Sequence, residues 1–598
     1  MRIPRTNAGR LVVTTNYTSY EGDSVPPPSL QPEIAGRRYM ASTGHYLATE
    51  AAIGILEAGG NAIDAGVAAS LTLGVVQSDQ VQIGGVAPIM LYLAETDEVL
   101  TISGLGWWPK AASLDYFIDE HAGTIPVGVH RTVIPAAPDA YILALTKFGT
   151  MSFGDIAQQA IRCASDGMPM HRHMRIYTEK FEERHRLWPS SAEVFLPDGN
   201  LPDVGDLFVQ SDLANALTYM VDEERAAAKG GRVAGLSAAR DAFYKGDIAQ
   251  KIVAFQREND GWMTADDLAG YASAIEPPVA YRYHGIDIYS CGPWCQGPVV
   301  PQALSLLEGF DLESLGHNTP EYIHVVAEAI KLAFADREKF YGDPRFVDVP
   351  MEELLDPDYA SERRKLIRSD QAWKELPPAG SINGASAAWT APVAPENAST
   401  PVFTADTSYA AVIDSHRNVF SGTPSDTSWD APVVPGLGFV PSARGSQSFA
   451  VRGHPSCVAP GKRPRLTPNP AIALKKGEFA MPFGASGGDT QPQGMLQVLL
   501  NHVIFGMDIQ ASIDAPRLCT HSQPDSFEPH TSYPGRLALE GRIDKATGDR
   551  LADLGHNVDW LRDISIGVSG VCAISADLKR DVMTGGADPR RPARAMGW

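Results

Sequence analysis

Residues 374–405 interrupt this chain in a way that few compact folds tolerate. KELPPAGSINGASAAWTAPVAPENASTPVFTA consists largely of Ala, Pro, Ser, Gly and Asn with almost no apolar period, the composition of a linker. A structureless segment of that length inside a compact domain is uncommon, and where it occurs it is usually functional. Two residues beyond it, Thr407 opens TSYAAVID (407–414), which reads as a strand. A polar turn at 415–418 and a second short strand, VFSG, follow.

The linker also divides the texture of the chain. Before it, from about 150 to 370, GDIAQQAIRCASDG, SDLANALTYMVDEERAAAKGG, GDIAQKIVAFQREN and PEYIHVVAEAIKLAFADREKFYG carry apolar residues at helical spacing, with YHGIDIYS as an interposed strand. Residues 46–76 hold two further helices separated by Gly59-Gly60-Asn61, a left-handed C-cap signal. PIMLYLAE and EVLTISG read as strands. After the linker, AIALKKGEFAMPFGASGG reads as a strand pair, with helices at MLQVLLNHVIFG and ASIDAPRL. Residues 1–38 are polar and Pro-rich, as in a surface arm.

Composition removes several functions. The 598 residues suggest about four domains of roughly 150 residues. Hydrophobic residues reach 44% and charged ones 20%, so there is material for extensive cores. Lys+Arg 50 against Asp+Glu 71 gives a net charge of −21, without the footprint of a binder of nucleic acid or anionic membrane. Six Cys are too few for a disulfide scaffold, and Cys291 and Cys295 lack a second pair at zinc spacing. Free thiols, with no apolar leader or spanning segment, indicate a soluble cytoplasmic protein. No phosphate-binding glycine motif occurs, so no nucleotide cofactor is expected. His171 and His173 in MPMHRHM have no partner at ligand spacing and read as a surface loop, so no metal is expected either.

Two places hold plausible chemistry. A Thr at the head of a strand, after a mobile linker, is the arrangement of an N-terminal-nucleophile (Ntn) hydrolase. Its hydroxyl attacks the preceding carbonyl, here that of Asp406, and the freed α-amine then serves as the base for the same hydroxyl. An α-amine titrates near 7.7–8.0, so no His is needed. The competing reading is Gly484-Ala485-Ser486-Gly487-Gly488, a G-x-S-x-G match that would make Ser486 the nucleophile of an α/β-hydrolase esterase. The same glycines also offer unobstructed backbone N–H groups for an oxyanion.

Several segments in order, from about residue 38 to the C-terminus, resemble the γ-glutamyltranspeptidase (γ-glutamyltransferase) family. They include ATEAAIGILEAGGNAIDAGVAASLTLGVV, IGG, FYKGDIAQKIV, ADREKFYGDPRFVDVP, TSYAAVID, APGKRP, GASGGDTQPQ, ASIDAPRL and GGADPRRPARAMGW. The resemblance implies an α+β fold, the αββα four-layer sandwich of Ntn hydrolases, with a large helical portion in the N-terminal chain. It implies self-cleavage between Asp406 and Thr407, without a cofactor. The products would be a large chain, 39–406 behind the arm, and a small chain, 407–598, which stay associated as a heterodimer. Matched by motif, Thr407 is the nucleophile, Ser425 a hydroxyl beside it, and Gly487 and Gly488 the oxyanion hole. Ser486 then merely precedes that hole.

The substrate pocket departs from the pattern of glutathione-cleaving relatives. Their carboxylate-binding Arg falls on Leu105, their paired serines on Leu466 and Thr467, and their amine-binding acids on the segment Arg444 to Phe449. Losing these groups removes recognition of an amino acid's zwitterionic end. R-G-x-x-x-F, A-P-G-K-R-P and G-G-D-x-Q-P-Q instead resemble the branch that includes oxamate amidohydrolase. Arg444 is then the candidate partner for a substrate carboxylate, with Asp489 and Gln491 lining the pocket. The expected function is hydrolysis or transfer of an acyl group from a small amide through a Thr-linked acyl-enzyme. The alternatives are γ-glutamyl transfer in a rearranged pocket, the Ser486 esterase, and an inactive ligand-binding homologue.

Overall fold

The computed structural model describes residues 29–382, 390–395 and 406–598. Two seven-stranded sheets face one another at its centre. In spatial order the first runs Ile34–Gly36, Val582–Ala587, Gly570–Asp577, Phe479–Ser486, Ala471–Lys475, Ile286–Ser290, Val279–Tyr283. The second runs Arg594–Gly597, Met40–Thr43, Ala410–Ile413, Val419–Gly422, Ile89–Leu93, Glu98–Ile102, Ile275–Glu276. Neighbouring strands are antiparallel throughout both sheets.

The two-residue period of a strand explains the layering. Ala411 and Ile413 point into the apolar cluster between the sheets, where Ile472 and Leu474 meet them. Ala410 and Val412 point the other way, into the cluster formed with helices Tyr46–Glu57 and Ala62–Val76. On the opposite side Ala471 and Ala473 pack against helices Val299–Leu307 and Gln491–Val503. The result is the expected αββα sandwich. Strands buried on both faces carry apolar residues at every position, which is why TSYAAVID lacks a polar face.

Helix Ala62–Val76 is buried at every position, and Asn61 closes its N-terminus with a capping box to Asp64. Helices Phe153–Ser165, Ser211–Ala227, Arg232–Tyr244 and Asp247–Glu258 extend the same core and form the expected helical portion.

Three expectations change. The roughly four domains that length alone suggests do not form, because each sheet contains strands from both sides of residue 406. Ala410–Ile413 and Val419–Gly422, for instance, lie between Met40–Thr43 and Ile89–Leu93. The arm at 1–38 lies outside the described residues up to 28, but Ile34–Gly36 is an edge strand paired with Val582–Ala587. Three residues are too few to show a period, and backbone pairing makes the strand. The expected strand at 407–414 narrows to Ala410–Ile413, because Thr407 has a φ of +85° and cannot extend the ladder. Of the linker, 383–389 and 396–405 lie outside the described residues. The described parts form no helix or regular strand and are held through their backbone N–H groups, Gly380 donating to the Asp336 side-chain Oδ1 (2.7 Å) and Ala394 to the Ser532 carbonyl (2.9 Å).

Candidate active site

Asp406 and Thr407 are consecutive in one uncut chain and both are buried, at 0% and 2% exposure. The positive φ of Thr407 is an outlier for a β-branched residue, a strain of about 1–3 kcal/mol that the surroundings must hold. They do so through Thr407 N–H to the Gln80 carbonyl (3.1 Å) and Ser408 N–H to the Pro424 carbonyl (3.0 Å). The side chain is thereby aimed at Ser425, whose Oγ lies 2.6 Å from Thr407 Oγ1.

Ser425 is placed by a reciprocal backbone pair with Val86, at 2.9 and 3.1 Å. The glycines before Val86 make this approach possible. A Cβ on Gly85 would stand 2.3 Å from the Ser425 carbonyl oxygen. The IGG motif is therefore a steric requirement of the nucleophile's neighbour.

The other wall comes from the end of strand Phe479–Ser486. There Gly487 and Gly488 turn the chain with φ of +121° and +56°, conformations that a side chain would oppose. The turn aims Gly487 N–H at the carbonyl oxygen of Asp406, 3.2 Å away. Gln296 Nε2 holds the Gly488 carbonyl at 2.9 Å. Asp489 is engaged by Arg337 and by the N–H and hydroxyl of Ser526 (2.7 and 2.6 Å), which fixes the turn from behind.

Gln491, opening the next helix, places one end of its amide 3.2 Å from Thr407 Oγ1. With its nitrogen toward the carbonyls of Thr467 (3.0 Å) and Ala485 (3.3 Å), every atom is satisfied and Oε1 accepts from the Thr407 hydroxyl. The Thr467 hydroxyl accepts from Gln447 Nε2 at 2.8 Å.

Arg444 completes the group. Its Nη1 lies 2.5 Å from Asp406 Oδ2, its Nε 3.6 Å from Asp426 Oδ2, and its Nη2 donates to Ser425 Oγ. The guanidinium sits over Phe527, 5.5 Å from the ring centroid. Burial pulls the Arg444 pKa down, but the Asp406 and Asp426 carboxylates more than offset this and hold it above its ordinary value. Burial raises Asp426 to about 6, against the pull of Arg444 and bonds from Ser442 Oγ (2.6 Å) and the Ala443 and Thr427 N–H groups.

Thr407, Ser425, Gly487, Arg444, Gln491 and Asp406 thus converge on one peptide bond. Leu105 does not join them directly: it packs with Leu466 in the apolar cluster between the sheets. Ser486 Oγ accepts from Arg591 Nε at 3.1 Å, and no histidine bonds to it among the described residues. With an antiparallel sandwich in place of a parallel sheet, the esterase reading fails.

The reading of His171 and His173 as a surface loop is also corrected. His171 caps helix Arg172–Lys180 and its Nε2 meets the Val76 carbonyl at 2.9 Å, while buried His173 lies 2.9 Å from Gln80 Nε2. Gln80 escaped the sequence analysis although its carbonyl holds the N–H groups of both Thr407 and Asp426. The available signal was four consecutive polar residues, Gln77 to Gln80, directly after a helix made mostly of Ala, Gly, Val and Leu. All four are buried.

All six cysteines are free. Among the described residues, no helix is long and apolar enough to cross a membrane. His324, Glu328 and His556 form a buried group, with the Lys331 ammonium 2.5 Å from Glu328 Oε1 supplying positive charge there.

An αββα sandwich in which a strand-edge threonine faces a glycine turn defines an N-terminal-nucleophile hydrolase. The family model for γ-glutamyltranspeptidase matches residues 48–598, and the chain belongs to that family. It is 31% identical over 569 residues to the glutathione hydrolase-like YwrD proenzyme of Bacillus subtilis, covering 94% of this chain and 99% of that one. The oxamate amidohydrolase proenzyme of Klebsiella pneumoniae is 27% identical over 581 residues, covering 94% and 98%. The crystal structure of cephalosporin acylase from Bacillus halodurans superposes with a TM-score of 0.81 at 27% identity, covering 97% and 99%. The protein is accordingly an enzyme, a hydrolase of this family.

Proposed function

We propose that the chain is a precursor that cuts its own Asp406–Thr407 bond, and that the freed Thr407 hydrolyses a small amide bearing a carboxylate. The observation that carries this reading is the placement of one carbonyl. The Asp406 oxygen accepts from Gly487 N–H, and the next residue carries the hydroxyl that pairs with Ser425.

In self-cleavage Thr407 Oγ1 adds to the Asp406 carbonyl carbon, with Ser425 passing the proton on. The C–N bond breaks, the threonine nitrogen takes that proton, and an ester remains. Water then adds to the ester, releasing the Asp406 acid and restoring the hydroxyl. In turnover the new α-amine accepts the hydroxyl proton and returns it to the leaving amine. Gly487 and Gly488 hold the oxyanion, and water, or a second amine, releases the acyl group. Asp489 positions the glycine turn, while Gln491 and Thr467 line the pocket. The two products, 39–406 behind the arm and 407–598, remain together because each sheet contains strands of both.

Arg444 favours a carboxylate-bearing acyl group over an uncharged one. Once Asp406 departs, the buried guanidinium keeps only the more distant Asp426 carboxylate, at 3.6 Å, and a substrate carboxylate restores the close pair. Denaturing gels test the reading. Wild type should separate into chains of 406 and 192 residues, which add to 598, and Thr407→Ala should stay whole and inactive. A wild-type chain that stays whole while hydrolysing amides contradicts it.

A further inference from the structure

The residue that occupies the site before cleavage has a defined length. Asp406 spans two anchors at once. Its carbonyl oxygen lies on Gly487 N–H at 3.2 Å, and its side-chain carboxylate lies on Arg444 Nη1 at 2.5 Å. Two carbons, Cα and Cβ, separate the reacting carbonyl from the carboxylate carbon. Resting on the reading of Thr407 as nucleophile, we propose that Asp406 is an internal template of the acyl group, and that the processed enzyme prefers monoamides of four-carbon dicarboxylic acids, of which succinamate is the simplest.

Neither anchor is free to follow a substrate of another length. Gly487 is fixed by its turn and by Asp489, Arg337 and Ser526 behind it. Arg444 is fully buried, clamped by Asp426 and Ser425 and seated on Phe527. Oxamate and malonamate are two and one C–C bonds short, each bond about 1.5 Å, and glutaramate is one bond long. A further feature favours a free substrate over the template. Among the described residues, Arg444 Nε and Nη1 have no aligned hydrogen-bond acceptor, so the contact with Asp406 is an ion pair of imperfect geometry. A carboxylate not tethered by a peptide chain can rotate to meet the edge of the guanidinium with both oxygens.

The test is kcat/KM of the processed wild-type enzyme on oxamate, malonamate, succinamate, glutaramate and butanamide, followed by ammonia release. Succinamate should exceed the other acids and butanamide by about tenfold to a hundredfold, the worth of a well-placed charged hydrogen-bonded pair. Titration with oxalate, malonate, succinate and glutarate should show tightest binding of succinate. A maximum at another length, equal rates throughout, or butanamide matching succinamate overturns the template while leaving the nucleophile assignment intact. So does a processed enzyme that neither turns over succinamate nor binds succinate more tightly than its neighbours. A chain that never cuts itself and turns over none of these amides overturns the nucleophile reading and the template with it.

Discussion

Gly487 donates its backbone N–H to the carbonyl oxygen of Asp406, a residue 81 positions earlier and immediately before the threonine that opens the second part of the chain. The donor suited to a reacting oxygen therefore already rests on the bond that joins the two parts. One site can then serve both cutting of the chain and later turnover, because both reactions put negative charge in the same place.

A side chain at Gly487 should damage both reactions. A Cβ there would lie 2.6 Å from Thr490 Oγ1, and a φ of +121° is strained for alanine. Gly487→Ala should slow self-cleavage by about a hundredfold to a thousandfold, the cost of one misplaced oxyanion donor. A time course of the uncut band on gels measures it, and a rate within a few fold of wild type would show that Gly487 is not that donor.

Ser425 touches the Thr407 hydroxyl, Arg444 and, at 3.3 Å, Asp406 Oδ2. Ser425→Ala removes the hydroxyl proposed to pass the proton and should retard cleavage about a hundredfold or more. Ser425→Thr, which restores a hydroxyl, should recover part of the rate. Recovery by Thr separates proton transfer from a simple packing loss.

Arg444 answers two buried carboxylates, so its loss should appear first in stability. Arg444→Met leaves Asp406 and Asp426 without their cation and should destabilise the uncut chain by about 3–5 kcal/mol. Measured by urea unfolding in the Thr407→Ala background, where every molecule is uncut, a change below about 1 kcal/mol would mean that the ion pairs are weak.

The pH dependence of stability should carry the mark of Asp426. Its folded pKa, about 6, is raised by burial above the ordinary 3.8. Between those values the folded protein holds a proton that the unfolded chain has released. The stability contributed by this group is therefore full below about pH 4, falls as pH rises toward 6, and is level above. Asp426→Asn has no such ionisation, so its Tm should gain on wild type as pH rises through that window. A Tm difference independent of pH would remove Asp426 as the source.

Local pattern carried much of this architecture. The helical period located the helices flanking Gly59-Gly60-Asn61, and the apolar run after Thr407 located a central strand. Nothing local revealed Ile34–Gly36, whose three residues form a strand only by pairing with Val582–Ala587. Nor did the motif at Ser486 disclose its partner, because Arg591 lies 105 positions away and only the closed sheet brings it to the hydroxyl.

By itself the sequence singled out a candidate junction. A linker of small residues ending at Asp406-Thr407, glycines at 84–85 and 487–488, and motifs shared in order with one enzyme family all depend on residue identity alone. Only the tertiary structure decided what occupies the site. Asp406, Arg444, Asp426 and Gln80 are scattered over several hundred positions, and they meet because both sheets interleave strands from the two sides of residue 406. Burial then sets the chemistry. In the dry space beside Thr407 a charge must find its opposite, so Arg444 takes the Asp406 carboxylate, and under the proposed cleavage the same requirement would turn it to a substrate's carboxylate.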